Sequence, residues 1–383
     1  MGIGSEHGVF DVSEVSMKVV NVQARCLNIP IKFPFTETPR TEGMLLVQVE
    51  TDEGIGGAGI SRDAERFAVR ELIHREISPF LLGKDPVATE KIWNDACWEI
   101  GMSYKVRTGV VARAIGAVDQ ALWDIKGKYL NQPIYRLLGG ASPASVGAYT
   151  TFGFNVYTLE ELVALARQMV QQGHDKLKMQ VVAADRGQDV SVDVARVKAV
   201  REAVGDAVML MVDGNSKFDF QHARELARRI EPYHITWFDD PVYVKDVRLM
   251  AELRRCTSIP LAARARGESQ WDNRDLIVGG AVDVMQANVL DGGGYTESVK
   301  VAHMAEMFHL PLATGGGWYL QNGHLIAGVA NGWLTEFHLL RERIYAVVYI
   351  QPPVARHGRL PLPEKPGMGL ELNEAAVEEY TES

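Results

Sequence analysis

Two short apolar segments that each end in carboxylates constrain the fold of this chain most strongly. The first is Leu-Met-Val-Asp-Gly-Asn at 210–215, and the second is Trp-Phe-Asp-Asp-Pro at 237–241. A short apolar segment followed by a helical pattern predicts a buried parallel strand. Carboxylates at the carboxyl end of such a strand lie where α/β sheets and barrels place their active sites. Asp213 and Asp239 could instead be helix N-caps or loop acids, but their occurrence in successive βα units favours a site.

The second half of the sequence alternates between strand and helix patterns. Strands are predicted at 146–151, 176–182, 209–213, 235–239, 260–263, 282–289, 311–314 and 333–337. Helices are predicted between them, for example at 159–172, 190–204, 220–230, 247–255 and 296–308. About eight βα units over roughly 200 residues indicate a TIM-type barrel.

The first half has a different pattern. Strands at 18–31, 44–50 and 55–60 predict an antiparallel meander, and residues 33–43 between the first two form either a lid or a simple loop. Apolar residues from 111 to 125 recur at steps of four and three, which predicts one helix face. We therefore predict a flexible leader at 1–16, a capping domain at 17–143, the barrel at 144–345, and a C-terminal segment at 346–383 that returns to the capping domain.

Composition excludes several classes of function. The 383 residues carry a net charge of −9 and contain no basic block, so neither nucleic acid nor an anionic membrane is an expected partner. No apolar segment reaches the length that crosses a membrane. The three scattered cysteines predict no disulfide framework, which is typical of a reducing compartment. We therefore expect a cytoplasmic protein.

Two lysines fall on one face of the second predicted barrel strand. Lys176 and Lys178 have the same parity, so both face the barrel interior, where a lysine is costly unless it meets anions. One of them could abstract a proton or hold a substrate carboxylate. The structural alternative is that one pairs with Asp213 or Asp239 and the other reaches the rim.

The two aspartates predict a site for Mg²⁺, because neighbouring strand ends can bring two carboxylates onto one oxygen-loving cation. Asn215 follows closely enough to face the same mouth. One further βα step beyond Asp239 reaches Ala265, which is not an acid. Either Glu268 supplies a third carboxylate, or Arg264 or Arg266 brings a positive charge that pairs with the aspartates and makes a metal unnecessary.

The remaining strand ends offer weaker candidates. Asn288 closes the sixth predicted barrel strand and Glu336 the eighth, and both are candidates for substrate binding. Glycine-rich turns at 291–294 and 314–317 allow a ligand to approach backbone N–H groups, although tight turns explain such glycines more often. His324 lies in a helical pattern and is interpreted as a packed histidine.

Several segments together resemble one family. The sequence Val-Asp-Gln-Ala-Leu-Trp-Asp-Ile-Lys-Gly-Lys at 118–128 and Gln-Pro-Ile-Tyr-Arg-Leu-Leu-Gly-Gly at 132–140 is similar to the enolase superfamily, in its mandelate racemase and muconate lactonizing enzyme branch. The segments 211–215, 237–241, 259–263 and 280–286 resemble it as well. The resemblance implies an α/β protein, a modified TIM barrel (β/α)7β with an N-terminal α+β capping domain. Its chemistry would be proton abstraction next to a substrate carboxylate, with Mg²⁺ stabilising the enediolate, as in racemases, cycloisomerases and acid-sugar dehydratases.

The resemblance also implies roles for individual residues. Asp213 and Asp239 would be the first two metal ligands, although the second is usually Glu. The third ligand, normally Glu, falls at Ala265 without a gap and at Glu268 with one. The catalytic lysine pair falls either at Lys178 and Gln180 or, with a shift of two, at Lys176 and Lys178. The histidine of strand seven falls at about Gly315 and its partner at Asn288, and neither residue can transfer a proton.

Our leading hypothesis is a Mg²⁺-assisted lyase or isomerase that acts on a small carboxylate substrate, such as a hydroxy acid or sugar acid. Lys178 or Lys176 would be the base or the carboxylate anchor, and Asp213, Asp239 and Glu268 would hold the metal. The alternative is a barrel that binds a small acid without metal catalysis, through Arg264, Arg266 and the lysines. We further expect a homo-oligomer, with no sequence feature that sets the number of subunits.

Overall fold

The computed structural model describes residues 17–32, 39–62, 65–101, 108–142, 145–264 and 269–382. The predicted leader at 1–16 and residues 33–38 of the predicted lid or loop lie outside the described residues. So do Arg266 and Glu268, two of the predicted site residues. Residues 39–43 of the predicted lid or loop form the start of a strand instead.

The N-terminal domain packs helices against a three-stranded antiparallel sheet, as the meander pattern predicts. The strands, in the order β1-β2-β3, are β1 (Val19–Lys32), β2 (Pro39–Thr51) and β3 (Gly56–Arg62). The helices are α1 (Arg66–Leu72), α2 (Ser78–Leu81), α3 (Thr89–Ala96), α4 (Val110–Tyr129) and α5 (Ile134–Leu137), with π-helical turns at Ile73–Ile77 and Cys97–Gly101. Helix α4 lies across β3 and contains the apolar face predicted from 111 to 125.

Eight parallel strands follow and close into a barrel, because the last of them pairs with the first. They are β4 (Ser145–Gly153), β5 (Lys176–Gln180), β6 (Met209–Asp213), β7 (Ile235–Asp239), β8 (Leu261–Ala263), β9 (Val284–Ala287), β10 (Leu312–Thr314) and β11 (Gly332–His338). The helices of this half are α6 (Leu159–Gln171), α7 (Ala183–Arg186), α8 (Ser191–Val204), α9 (Phe220–Ile230), α10 (Val247–Arg254), α11 (Gln270–Val278), α12 (Gly294–Met307), α13 (Tyr319–Gly328) and α14 (Leu339–Val348), with a 3₁₀ turn at Glu231–Tyr233. The predicted modified TIM barrel with a capping domain is confirmed.

The C-terminal segment connects the two halves. Strand β12 (Arg359–Pro361) pairs antiparallel with the start of β4, and helix α15 (Glu374–Tyr380) follows. The backbone N–H of Glu382 then donates to the carbonyl of Cys26 on β1 at 2.8 Å. The end of the chain therefore lies against the first sheet. The domain boundaries given above stay predictions.

The barrel interior is sealed by one layer of apolar side chains. Seven strands contribute one side chain each, namely Tyr149, Met211, Trp237, Ala262, Val284, Ala313 and Leu334. Among the described residues, this apolar layer closes the barrel interior below the polar strand ends. Within the described part of the chain, no helix has the length and apolarity needed to cross a membrane.

Candidate active site

The polar residues of the site form the layer directly above the apolar seal. Side chains two positions apart on a strand point to the same face, so the residue after next on each strand also faces the interior. Those residues are Thr151, Asp213, Asp239, Arg264, Gln286, Gly315 and Glu336. The candidate site therefore lies at the carboxyl end of the barrel, where this architecture places catalysis.

Lys178 is the centre of this layer. Its Nζ lies 2.9 Å from Oδ2 of Asp213, 2.7 Å from Oδ2 of Asp239 and 3.0 Å from Oε1 of Glu336. Asp213 and Asp239 are direct partners in the pairing of β6 with β7, which explains how one ammonium reaches both carboxylates. Thr151 donates a short hydrogen bond to the same Glu336 oxygen. All of these side chains are buried, and the cluster holds three carboxylates around one lysine.

Burial and charge act in opposite directions on this cluster. Burial would lower the pKa of Lys178, but Asp213, Asp239 and Glu336 outweigh it and raise that pKa well above its usual value. Burial, with Asp213 nearby, raises the pKa of Asp239 to about 7 although Lys178 opposes the shift. For Glu336, the Lys178 ammonium outweighs the effect of burial and lowers the pKa to about 2. In this geometry Lys178 is therefore a stable cation.

A cavity of about 340 Å³ opens above the cluster and is lined by both domains. The capping domain contributes Arg40 and Glu42 from β2 and Arg62 from β3. The barrel adds Gln180, Asn215, Gly316, Trp318, His338 and Arg341 to the residues already named. A space of this size admits a small organic acid.

Two carboxylates, each held by two arginines, flank the cavity and join the domains. Glu42 is paired with Arg40 and, at 3.1 Å, with Arg341 of α14. Asp291 lies 3.1 Å from Nη1 of Arg62 and 3.3 Å from Nε of Arg264. Each carboxylate is paired with one arginine of the capping domain and one of the barrel, so the position of the cap fixes the shape of the cavity.

The structure brings some predicted residues to the mouth of the cavity. Arg264 lies there, buried at the end of β8, with its Nη1 3.5 Å from Oε1 of Gln286. The backbone N–H of Asn215 donates to Oδ1 of Asp213 at 2.9 Å, which holds Asn215 at the rim. Asn288 is buried beside the mouth and donates to Asp291 at 3.1 Å, so it orients the partner of Arg264.

Other predicted residues lie elsewhere. Lys176 is at the amino end of β5, where its Nζ pairs with Asp175 at 2.7 Å. This position is away from the cavity, so the alternative in which Lys176 is the base is wrong. The two lysines share a face, but one lies below the apolar seal and the other above it. His324 is packed in the core, where its Nδ1 accepts from the Tyr135 N–H and its Nε2 faces the Met368 carbonyl, as predicted.

Sequence reasoning missed His338, Arg341 and Arg62, and it placed Arg40 and Glu42 only within the segment 33–43 that was predicted to be a lid or a simple loop. The sequence could have indicated His338, because it follows Leu334 and Glu336 at steps of two along β11 and so faces the same side of the strand. The other residues reach the cavity only through the docking of the cap and of α14, which no local pattern encodes.

The donor set can be tested against the Mg²⁺ that the family resemblance implies. Asp213 and Asp239 present adjacent carboxylates that already hold a cation, and Oδ1 of Asp239 is buried without a hydrogen-bond partner among the described residues. Mg²⁺ commonly takes one or two protein carboxylates and completes its shell with substrate and water. The two aspartates fit such an ion in kind, with Lys178 sharing the same carboxylates. Among the described residues, which do not include Glu268, no three His, Cys, Asp or Glu side chains are arranged so that together they could hold a metal ion.

Comparison with known families covers both halves of the chain. Residues 14–139 match the model of the mandelate racemase / muconate lactonizing enzyme N-terminal domain. Residues 161–376 match the enolase C-terminal domain-like model. These two regions correspond to the cap and the barrel of the structure.

Individual relatives include dehydratases and racemases. An arabinonate dehydratase from Saccharolobus solfataricus is 31% identical, covering 88% of this chain and 90% of that protein. The structure of L-talarate dehydratase from Polaromonas sp. JS666, complexed with Mg and L-glucarate, superposes with a TM-score of 0.85 at 30% identity, covering 96% of this chain and 98% of that one. A racemase from Streptomyces coelicolor A3(2) with bound magnesium gives a TM-score of 0.86 at 27% identity, covering 95% and 100%. The chain therefore belongs to the mandelate racemase and muconate lactonizing enzyme family of the enolase superfamily.

Proposed function

We propose that this chain is a Mg²⁺-assisted lyase or isomerase that abstracts a proton α to the carboxylate of a small hydroxy acid, as an acid-sugar dehydratase or a hydroxy-acid racemase does. The observation that carries the proposal is the cluster of Lys178 with Asp213, Asp239 and Glu336 at the floor of a polar cavity. The named activities of the relatives support it.

Each group has a role that its position supports. Asp213 and Asp239 would hold the metal, and a divalent cation there stabilises the negative charge of an enediolate. Lys178 anchors the substrate carboxylate or moves the α-proton. Arg264 and Asn215 at the rim orient the substrate, and Glu336 holds Lys178 in place while its second oxygen remains available as an acceptor. That oxygen is buried and has no partner among the described residues.

The experiment combines a metal titration with proton exchange. Millimolar Mg²⁺ is expected to raise the melting temperature, because a ligand bound only by the folded state at 100 times its Kd stabilises that state by about 2.7 kcal/mol. With Mg²⁺ present, arabinonate, galactonate or glucarate is expected to lose its α-proton in D₂O, followed by NMR: a racemase replaces it with deuterium, whereas a dehydratase also expels the β-hydroxyl as water and gives a deuterated 2-keto-3-deoxy acid. Asp213→Asn should lose both responses, and Lys176→Ala, at the far end of β5, should keep both.

Two lysine variants separate anchoring from proton transfer. Lys178→Arg keeps a cation but cannot release a proton near neutral pH, whereas Lys178→Ala removes both. If Lys178 moves the proton, both variants lose exchange. If it only anchors, Lys178→Arg retains a measurable fraction. Exchange by Lys178→Ala at the wild-type rate would exclude both roles.

A second candidate function is binding of a small acid without metal catalysis. Two observations favour it, namely the Lys178 ammonium between Asp213 and Asp239 and the buried guanidinium of Arg264 at the end of β8. It predicts no shift in melting temperature with Mg²⁺, no exchange with any acid, and a shift with an acid sugar alone.

We also propose a cytoplasmic location and a homo-oligomeric state. The few scattered cysteines support the first, and size-exclusion chromatography with light scattering tests the second.

A further inference from the structure

His338 lines the cavity in a layer above the carboxylates. It is the last residue of β11, two positions after Glu336 and four after Leu334, so all three side chains face the barrel interior. Leu334 belongs to the apolar seal and Glu336 contacts Lys178. His338 is the next side chain outward on this strand, at the level where a ligand above the cluster would lie.

The contacts of the His338 ring determine which nitrogen carries its proton. The backbone N–H of Leu340, in the first turn of α14, donates to Nδ1 at 3.3 Å. Nδ1 must therefore present a lone pair, and in a neutral ring the proton is on Nε2. Burial lowers the pKa of His338 to about 3, with Arg341 and Lys178 acting in the same direction against Glu336 and Asp213. At neutral pH the ring is therefore an uncharged donor through Nε2.

Neighbouring residues hold the ring in place. The ring of Phe154 lies 5.1 Å from it, centroid to centroid. On another side is Gly317, where a Cβ would come within 2.3 Å of the His338 Cβ. The turn after β10 thus needs glycine at this point for His338 to occupy its position.

We propose that His338 is a catalytic residue, whose Nε2–H donates a hydrogen bond to the substrate oxygen on which negative charge develops as the α-proton leaves. This inference rests on the proposed function. Mg²⁺ held by Asp213 and Asp239 would stabilise the enediolate from the floor of the cavity, and the Nε2–H of His338, at the end of β11, would add a fixed donor from its wall. A neutral donor can supply this stabilisation without transferring a proton.

The alternative is that His338 only caps α14 through Nδ1. Two substitutions separate these roles, because Asn places its oxygen near the position of Nδ1 and Gln places its amide N–H near that of Nε2. His338→Asn keeps the cap and loses the donor. His338→Gln keeps the donor and loses the cap.

The experiment measures the melting temperature, kcat and KM for both variants with the acid sugar that the wild type turns over. His338→Gln is expected to melt lower but to keep kcat within about threefold. His338→Asn should melt close to the wild type while kcat falls about 100-fold and KM changes little, as for the loss of one oxyanion donor. His303→Asn, an exposed histidine of α12, is the matched control and should change neither quantity. If His338→Asn keeps kcat while His338→Gln loses stability, the cap is its only role and the proposal is overturned.

A binding measurement distinguishes this failure from failure of the proposed function. If the wild type neither exchanges the α-proton of these acids nor dehydrates them, the proposed function fails. Oxalate, a planar anion shaped like an enediolate, then serves as the probe in calorimetry. His338→Gln should bind oxalate like the wild type, and His338→Asn at least tenfold more weakly. Equal affinity in all three proteins overturns the role of His338. A wild type that neither exchanges protons nor binds oxalate overturns both proposals.

Discussion

A lysine inside a barrel loses the hydration of its ammonium, and only close anions can compensate for that loss. Lys178 has three of them within 3.0 Å, and it also lies 5.4 Å from the centre of the Tyr149 ring. The carboxylates are equally dependent on the lysine, since they would otherwise repel one another in a buried space. The four charges therefore stabilise or destabilise the fold as one unit.

Replacing Lys178 by Met should destabilise the protein by about 3–5 kcal/mol, because three buried carboxylates lose their common partner. The measurement is urea unfolding at pH 7 in the absence of divalent cations. Lys176→Met is the matched control at the other end of the same strand, where a more exposed pair with Asp175 should be worth less than about 1 kcal/mol. A Lys178→Met protein as stable as the wild type would show that the carboxylates do not carry their charges together.

The sequence predicts part of this site because the ends of the barrel strands can be recognised from the residue pattern. Lys178, Asp213, Asp239 and Glu336 all follow from an apolar period of two and the direction of parallel strands. The same period cannot tell Lys176 from Lys178, because it gives the face of a strand and not the height inside the barrel. His338 shares its parity with Glu336, but a histidine at the end of a strand has no distinctive spacing.

At the scale of elements, the turn between β10 and α13 shows how a glycine can serve a neighbouring strand. Gly317 has φ +76° and faces His338. Gly205, after α8, has the same φ of +76° but no atom within 4 Å of where its Cβ would lie. Both positions therefore carry a backbone cost for a side chain, and only Gly317 adds a steric one.

We expect Gly205→Ala to cost about 1–3 kcal/mol for its backbone conformation alone, with φ +76° and ψ 172°. Gly317→Ala should cost about 1–3 kcal/mol beyond its own backbone term, since its Cβ would meet the Cβ of His338 at 2.3 Å. Chemical denaturation measures both. Equal losses for the two variants would mean that the ring of His338 moves aside freely.

The elements themselves were predictable where their pattern is long or their interior face is apolar. The eight barrel strands and α4 emerge from periodicity, and α14 appears although aromatic residues and later prolines obscure its pattern. The docking of β2 and β3 over the barrel mouth was not predictable, because Glu42 in the predicted loop and Arg62 after the third predicted strand have no distinctive pattern until their partners Arg341 and Asp291 are known.

At the scale of the whole molecule, the seam between α4 and α12 joins the cap to the barrel through buried acids. Asp119 accepts from the N–H and hydroxyl of Thr296 at 3.1 and 2.6 Å. Burial raises the pKa of Asp119 to about 7 and that of Glu297 to about 8. Oε1 of Glu297 has no hydrogen-bond partner among the described residues. The folded seam therefore prefers protonated carboxyl groups.

Stability should fall as the pH rises from about 4.5 to 8, because the folded state keeps protons that the unfolded chain releases. Glu297→Gln should flatten this slope and raise stability at pH 8.5 by about 1–3 kcal/mol, with little effect at pH 5. The measurement is the free energy of unfolding of the wild type and of Glu297→Gln at several pH values across this range. Glu306→Gln, an exposed acid on the same helix, is the control and should leave the slope intact. An unchanged slope in Glu297→Gln would place the titrating group elsewhere.

The bridges from Glu42 to Arg341 and from Arg62 to Asp291 have a consequence for engineering by recombination. A foreign cap without acidic and basic side chains at these places would leave Arg341 without its acid and Asp291 with Arg264 but without Arg62. Transfer of the cap alone, or of the barrel alone, is therefore not expected to transfer the substrate preference. A cap from a relative would need both Glu42 and Arg62 at their places to pack on this barrel and change its substrate specificity.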